Sequence, residues 1–268
     1  MKLALAQLDI EAAALERHVE RALDAVSVAA DAGADCVALP ELFDVGYFAF
    51  DAYSRNAQPL GGETHRRLRE AAVEHGIAVL AGTVVEDLEA SAAAGEDVPA
   101  ETGLANTAVL FDRDGERRLV YRKRHLFGYG SAESELLVPG EAVPTAELSG
   151  HTVGVTTCYD LRFPELYRRL LESGATMVLV PSAWPYPRVE HWKLLPRARA
   201  LENLLYVGAV NGIGTFEDAS LVGRSTVYDP WGTPIAASDE EPTVVYAECP
   251  PERVETVRSE FPAIADRR

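Results

Sequence analysis

Three short segments of this 268-residue sequence each end an apolar stretch on a reactive side chain. Leu39-Pro40-Glu41-Leu42-Phe43 brings a carboxylate out of an apolar strand. Tyr121-Arg122-Lys123-Arg124-His125-Leu126-Phe127 offers an ammonium. Thr157-Cys158-Tyr159-Asp160-Leu161-Arg162-Phe163-Pro164-Glu165 offers a thiol. Strand ends are where the loops of α/β proteins build their sites. Taken singly, each has a plainer reading: Glu41 as a cap or salt-bridge partner, the basic cluster as a solvated face, Cys158 as core packing. Taken together they hold the parts for covalent attack on a carbonyl: a nucleophile, a proton acceptor and a fixed cation. A cysteine–histidine dyad using His125 or His191 is conceivable on the same thiol, but the residues around Cys158 match no such family.

In this order the segments resemble those of the nitrilase superfamily of carbon–nitrogen hydrolases, which is defined by a Glu–Lys–Cys triad. The resemblance runs from the first strand through Asp229-Pro230-Trp231-Gly232 and is most specific in the octapeptide Cys158–Glu165. It implies a four-layer α-β-β-α sandwich and association through the helical layers into a homodimer or higher homo-oligomer. It also implies the catalytic set Glu41, Lys123 and Cys158. Many members carry a second glutamate shortly before a Pro-Gly. Glu133, in the pattern ESxxxxPG ending at Pro139-Gly140, is the match, with Glu135 as the fallback.

The chemistry expected of these residues follows from their types. A free thiol with a pKa near ~8.5 is only slightly ionised at neutral pH, so Cys158 needs a base. Glu41 could take the thiol proton and return it to departing ammonia, provided that burial raises its pKa above the ordinary ~4.3. Lys123 and the backbone N–H of Tyr159 could stabilise the oxyanion. The sequence has only three lysines, Lys2, Lys123 and Lys193. Lys123 lies between two arginines, so an ammonium was kept where a guanidinium was locally acceptable; the two differ in reach and hydrogen-bond geometry.

Within the superfamily, the octapeptide and the later Ala183-Trp184-Pro185-x-x-Arg188-x-x-His191-Trp192 are similar to 2-oxo acid ω-amidases. That branch implies a small-molecule amide substrate bearing a carboxylate. Arg188 and Arg162 are the candidates to hold it, since an arginine can grip a carboxylate with two parallel hydrogen bonds. Arg162 could equally pair with Asp160 or Glu165 to brace the nucleophile loop. Trp184, Tyr47 and Phe48 are candidate pocket walls, with core packing as the alternative for each. Other carbon–nitrogen groups stand as the runner-up substrates: N-carbamoyl amines, deaminated glutathione or nitriles. A non-catalytic binding protein on the same fold is the third reading.

The elements that must position these residues alternate between strand and helix. Apolar runs predict strands at Lys2–Gln7, Cys36–Leu39, Ile77–Val84, Leu104–Asp112, Arg118–Tyr121, Thr152–Thr157, Met177–Val180, Leu205–Val210 and Thr243–Glu248, with a further pair around Asp229–Gly232. Helical spacing is present from Leu15 to Ala30, over Glu63–His75, over Phe163–Ser173 and over His191–Leu204, and Gly33, Gly76 and Gly174 stand as terminators. The acidic stretch Glu86–Glu101 reads as a solvated loop. With no low-complexity linker, a single α/β domain spanning residues 1–268 is expected.

Composition narrows the function classes. The net charge of −17 leaves no basic footprint for nucleic acid. The opening MKLALAQLDI is too short for a signal-peptide core, and no stretch reads as a membrane span, so a cytoplasmic setting is the default. Three scattered cysteines and six histidines without an HxxxH pair argue against a disulfide scaffold or a metal site, and Gly212-Ile213-Gly214 is too weak for a dinucleotide site. No cofactor is expected. The acidic, lysine-poor surface suits a salt-rich cytoplasm, or else reflects an arginine-biased genome.

Overall fold

The computed structural model describes residues 1–129, 131–217 and 219–267. The first half runs β1 (Lys2–Gln7), α1 (Leu15–Asp31), β2 (Cys36–Ala38), α2 (Tyr53–Asn56), α3 (Glu63–His75), β3 (Ala78–Leu80), β4 (Val84–Asp87), α4 (Leu88–Ala93), β5 (Leu104–Phe111), β6 (Arg117–Arg122) and α5 (Glu133–Leu136). The second half runs β7 (Thr145–Leu148), β8 (His151–Val155), α6 (Pro164–Glu172), β9 (Met177–Ser182), α7 (Val189–Asn203), β10 (Tyr206–Asn211), β11 (Ile213–Thr215), β12 (Ser220–Val222), β13 (Thr226–Tyr228), β14 (Pro234–Ala237), β15 (Thr243–Glu248) and α8 (Glu252–Glu260).

Two sheets lie face to face with helices outside both. One holds β15, β1, β2, β3, β5 and β4, with β6 added along β5; the other is ordered β14-β13-β10-β9-β8-β7. Period-two alternation assigns each strand residue to a layer. Leu3 and Leu5 of β1, Met177 and Leu179 of β9, and Tyr206 and Val210 of β10 meet in the core between the sheets. Ala4 and Ala6 of β1 face the other way, beneath Val19, Ala22 and Val26 of α1. Val178 and Val180 of β9 pack under Leu166, Tyr167 and Leu170 of α6. The result is the four-layer α-β-β-α sandwich expected from the sequence. No helix among the described residues is long and apolar enough to cross a membrane.

Two sequence expectations are corrected. The run Ile77–Val84 is not one strand. β3 pairs with the Leu110–Phe111 end of β5 and β4 with its Leu104–Thr107 end, and a turn at Gly82 (φ +46°) separates them. The acidic stretch Glu86–Glu101 is not wholly a solvated loop. Glu86 is buried on β4, where Arg122 and Thr107 bind its carboxylate, and the Asp87 side chain caps α4 by accepting from Ala90 N at 3.0 Å. Here a charge read as solvated is paired inside the protein.

The loop after β2 carries a carboxylate with little support. Asp44 is buried; its Oδ1 accepts from Val45 N at 2.8 Å and its Oδ2 has no partner. Beside it, His18 Nε2 accepts from Glu11 N at 2.9 Å, so Nδ1 carries the proton and donates to Asp44 O at 2.8 Å. Burial pushes the Asp44 carboxyl up to about 7. With the folded value above the unfolded one of ~3.9, this group's contribution to stability is complete below pH ~4 and is lost as pH rises through about 7. Asp44→Asn should abolish that loss. Thermal melts between pH 5 and 9 should show wild type falling behind the variant by about 3 kcal/mol, most of it between pH 5 and 7; parallel curves would contradict the assignment.

Candidate active site

Glu41 leaves β2 through a turn gripped from both sheets. Thr83 takes hold of it twice: its N–H donates to Pro40 O at 3.2 Å and its hydroxyl accepts from Leu42 N at 2.8 Å. This grip needs Gly82, since a Cβ there would lie 2.1 Å from Pro40 O. From the second sheet, Ser182 O accepts from Glu41 N at 3.4 Å. Leu42, next in sequence, is held at φ +43°, a sparsely populated conformation for a branched residue.

Lys123 follows β6 directly. Its own N–H donates to Asn106 O at 2.8 Å, and its carbonyl accepts from Gly140 N at 3.0 Å. Glu133 opens α5 and is buried, whereas Glu135 is exposed. Cys158 does not sit at the strand end. β8 stops at Val155, and Cys158 begins a 3₁₀ turn, Cys158–Arg162, in the left-handed conformation at φ +46°. Such strain is characteristic of functional turns and must be held by surrounding contacts.

The side chains from these distant stretches converge. Lys123 Nζ donates to Glu41 Oε1 at 2.8 Å and to Glu133 Oε1 and Oε2 at 2.7 and 2.9 Å, with all three side chains sealed from solvent. Glu41 Oε2 accepts from Ala183 N at 2.9 Å. Burial pushes the Glu41 carboxyl above the ordinary range, and Glu133 adds to the rise against the pull of Lys123. Burial opposes the Lys123 ammonium, but Glu133 and Glu41 hold it well above the ordinary lysine range. Burial and the neighbouring Glu41 charge push the Cys158 thiol well up. At rest, therefore, the sulfur keeps its proton and the carboxylate beside it is positioned to receive it.

Around this cluster lies a narrow cleft lined by Tyr47, Phe48, Lys123, Phe127, Cys158, Tyr159, Arg162, Ala183, Trp184, Pro185 and Arg188. Tyr47, Phe48, Tyr159, Arg162, Trp184 and Arg188, the residues expected to contact substrate, all line it. Tyr47 stands against the Lys123 ammonium (5.3 Å to the ring centre), and its hydroxyl donates to Glu133 Oε2 at 3.0 Å. The alternative role for Arg162 is corrected: it pairs with neither Asp160 nor Glu165. Its guanidinium lies over the rings of Trp184 (5.1 Å) and Tyr159 (5.7 Å), and Nη2 donates to His191 Nδ1 at 3.1 Å. Arg188 lies over Phe127 at 5.3 Å, and its carbonyl accepts from Trp184 Nε1 at 2.9 Å. Among the described residues no three His, Cys, Asp or Glu side chains group as a metal would need.

A family model for carbon–nitrogen hydrolases matches residues 2–259. The chain belongs to the carbon–nitrogen hydrolase family. It is 36% identical to the 2-oxoglutaramate amidase of Paenarthrobacter nicotinovorans over 258 residues, covering 95% of this chain and 84% of that one. Its fold superposes on Nit3 of Saccharomyces cerevisiae, a member of branch 10 of the nitrilase superfamily, with a TM-score of 0.86 at 31% identity, covering 98% and 94% of the two chains. A mutant of the amidase from Nesterenkonia sp. AN1, captured after Michael addition of acrylamide at the active-site cysteine, superposes with a TM-score of 0.81 at 28% identity, covering 97% and 98%.

This hydrolase's site also holds residues that sequence reasoning passed over. Asn106 Nδ2 donates to Glu41 Oε1 at 2.9 Å and to Glu133 Oε1 at 3.2 Å, so one amide ties the two carboxylates together. Its signal was a polar Asn106-Thr107 pair inside the otherwise apolar Leu104–Phe111 strand. Phe127 N, donating to Glu133 Oε2 at 2.7 Å, and Ala183 N act through the backbone, which no residue type announces.

The raised Glu41 carboxyl sets a pH dependence. Chemistry that needs Glu41 ionised is complete above its raised pKa and is lost as pH falls through it, so the acid limb should lie above the ~4.3 of an ordinary glutamate. Asn106→Leu removes a donor from the ionised form and should move that limb further up. The rate of Cys158 alkylation by acrylamide against pH, followed by mass spectrometry, reads both; identical limbs in the two proteins would refute the role of Asn106.

Proposed function

We propose that this protein hydrolyses the terminal amide of a small 2-oxo acid ω-amide, a non-peptide bond, releasing the carboxylic acid and ammonia through a thioester on Cys158. The observation that carries the reading is the composition of the cleft. Buried Cys158 and Lys123 share it with aromatic walls and two half-buried guanidiniums, Arg162 and Arg188. Lys123 is already balanced by Glu41 and Glu133, so in a chain of net charge −17 it is the two guanidiniums, in an otherwise uncharged lining, that fit an amide carrying a carboxylate. Similarity to a 2-oxoglutaramate amidase supports the 2-oxo acid class.

In this mechanism the Cys158 thiol gives its proton to Glu41 as Sγ attacks the amide carbon. Lys123 Nζ and the Tyr159 N–H stabilise the oxyanion that forms. Collapse breaks the carbon–nitrogen bond, and the proton on Glu41 passes to the leaving nitrogen, so ammonia departs. A water then attacks the thioester, again surrendering a proton to Glu41. The second collapse frees the acid, and Glu41 returns the proton to sulfur. Glu133 takes no proton here; it holds the Lys123 ammonium, with Tyr47, Phe127 N and Asn106 fixing its own carboxylate. A homo-oligomer belongs to the same reading, and Leu194 and Leu201 of α7, 63% and 51% exposed, offer apolar surface for it.

Ammonia release across ω-amides of 2-oxo acids, neutral amides, N-carbamoyl amines, deaminated glutathione and nitriles tests the substrate class. The 2-oxo acid ω-amides should lead in kcat/KM. Turnover of nitriles alone would overturn the amidase reading, and no turnover by wild type at any salt concentration would favour a binding protein. Arg162→Met and Arg188→Met should raise KM about tenfold or more for carboxylated amides and leave neutral amides unchanged. Lys123→Arg should lower kcat about 10²–10³-fold, as for loss of an oxyanion donor, while Lys193→Arg leaves it unaltered; equal effects of the two would remove Lys123 from the mechanism.

A further inference from the structure

Asp160 lies two residues after Cys158, is buried, and takes no part in the steps above. Its carboxylate accepts four hydrogen bonds. Thr157 N donates to Oδ2 at 2.9 Å and Tyr121 Oη to Oδ2 at 2.6 Å, while His125 N and Nδ1 donate to Oδ1 at 3.0 and 2.7 Å. The His125 ring also stacks on Phe163, at the end of the nucleophile turn, with centres 3.7 Å apart and planes 11° from parallel.

The spacing of these donors gives the arrangement its meaning. Tyr121 and His125 flank Lys123 by two residues on either side. Arg122, between them, reaches instead to Glu86, and Arg124 to Glu141 O. The segment that carries the ammonium grips Asp160 from two residues before Lys123 and from two residues after it. On the other partner, Asp160 binds Thr157 N directly before Cys158 and belongs to the same 3₁₀ turn. Lys123 comes from the first sheet and Cys158 from the turn after β8 in the second; no hydrogen bond joins the two residues directly.

We propose that Asp160 is a positioning residue that sets the distance between the Lys123 ammonium and Cys158, clamping the left-handed nucleophile turn to the strand end that carries the oxyanion-stabilising cation. The inference rests on Cys158 acting as nucleophile and Lys123 as its electrostatic partner. A carboxylate suits the position because it presents only acceptors; an asparagine would turn an NH₂ toward two of the four donors. Misplacing reacting groups by about 1 Å can cost as much as ~10²-fold in rate.

The test compares wild type, Asp160→Asn and the milder Tyr121→Phe, which removes a single donor and leaves three. For each, kcat and KM are measured on the best ω-amide, with kcat taken per folded site. The rate constant for acrylamide alkylation of Cys158 is measured alongside by peptide mass spectrometry; the other two cysteines, Cys36 and Cys249, are buried, with thiols pushed up to about 12. Expected is a fall in kcat of about tenfold or more in Asp160→Asn and about threefold in Tyr121→Phe, with KM within about twofold of wild type and the alkylation rate constant altered in the same order. A purely structural role would reduce the amplitude of labelling, the folded fraction, without changing its rate constant or kcat per site, and that result overturns the proposal. Should Asp160→Asn fail to fold, Tyr121→Phe decides alone by the same criteria. Wild type that neither turns over amide nor labels at Cys158 overturns the underlying reading of the site, whereas an active wild type with unchanged variants overturns only the role given to Asp160.

Discussion

The arrangement rests on an ammonium buried between two carboxylates. The Lys123 side chain is buried at the floor of the cleft, within hydrogen-bond reach of both Glu41 and Glu133. Desolvating such groups costs several kcal/mol each, and their attraction compensates only when geometry is tight and the remaining lone pairs are occupied. That condition explains the second layer of contacts. Asn106 Nδ2 reaches both carboxylates, Tyr47 Oη and Phe127 N bind Glu133, and Ala183 N binds Glu41. Removing one member would leave an uncompensated charge in the interior, so these residues form one electrostatic unit.

The site is assembled where the ends of two sheets meet, and the backbone is bent to bring them there. From the first sheet come Glu41 and Lys123, and from the second come Cys158 and the Ser182–Trp184 turn. Both sides use left-handed backbone at residues with side chains, Leu42 at φ +43° and Cys158 at φ +46°. Neither conformation would persist alone. Leu42 is held by Thr83, and the Cys158 turn by the bonds that end on Asp160. The sheets themselves are ordinary alternating strands; the unusual backbone is confined to their ends.

Legibility in the sequence followed the physics of each feature. Period-two and helical patterns located the main layers because burial imposes them residue by residue, and β1 and β9 show it directly. The run Ile77–Val84 misled because β3 and the first residue of β4 are apolar and both strands pair with β5, so only Gly82 marked the break. Glu86 misled because a sequence cannot distinguish a solvated carboxylate from one paired inside with Arg122. At the site, the family resemblance pointed to Glu41, Lys123 and Cys158 and preferred Glu133 to Glu135, and in the structure Lys123 binds both Glu41 and Glu133. Asn106 and the donors at Phe127 and Ala183 were not readable, since a backbone N–H belongs to every non-proline residue and reveals its use only through geometry. Arg162 could be placed near the nucleophile but not paired, because its partners Trp184 and His191 arrive from β9 and α7.

The scarcity of lysine has a practical side. Besides the chain's own amino terminus, primary amines occur only at Lys2, Lys123 and Lys193. Lys123 is sealed by the fold, while Lys193 is half in solvent, tethered only to Glu190 at 3.0 Å. Amine-directed coupling to a resin or a dye would therefore fall on a few sites outside the cleft. The folded protein could be tethered in a nearly uniform orientation with its buried ammonium still free.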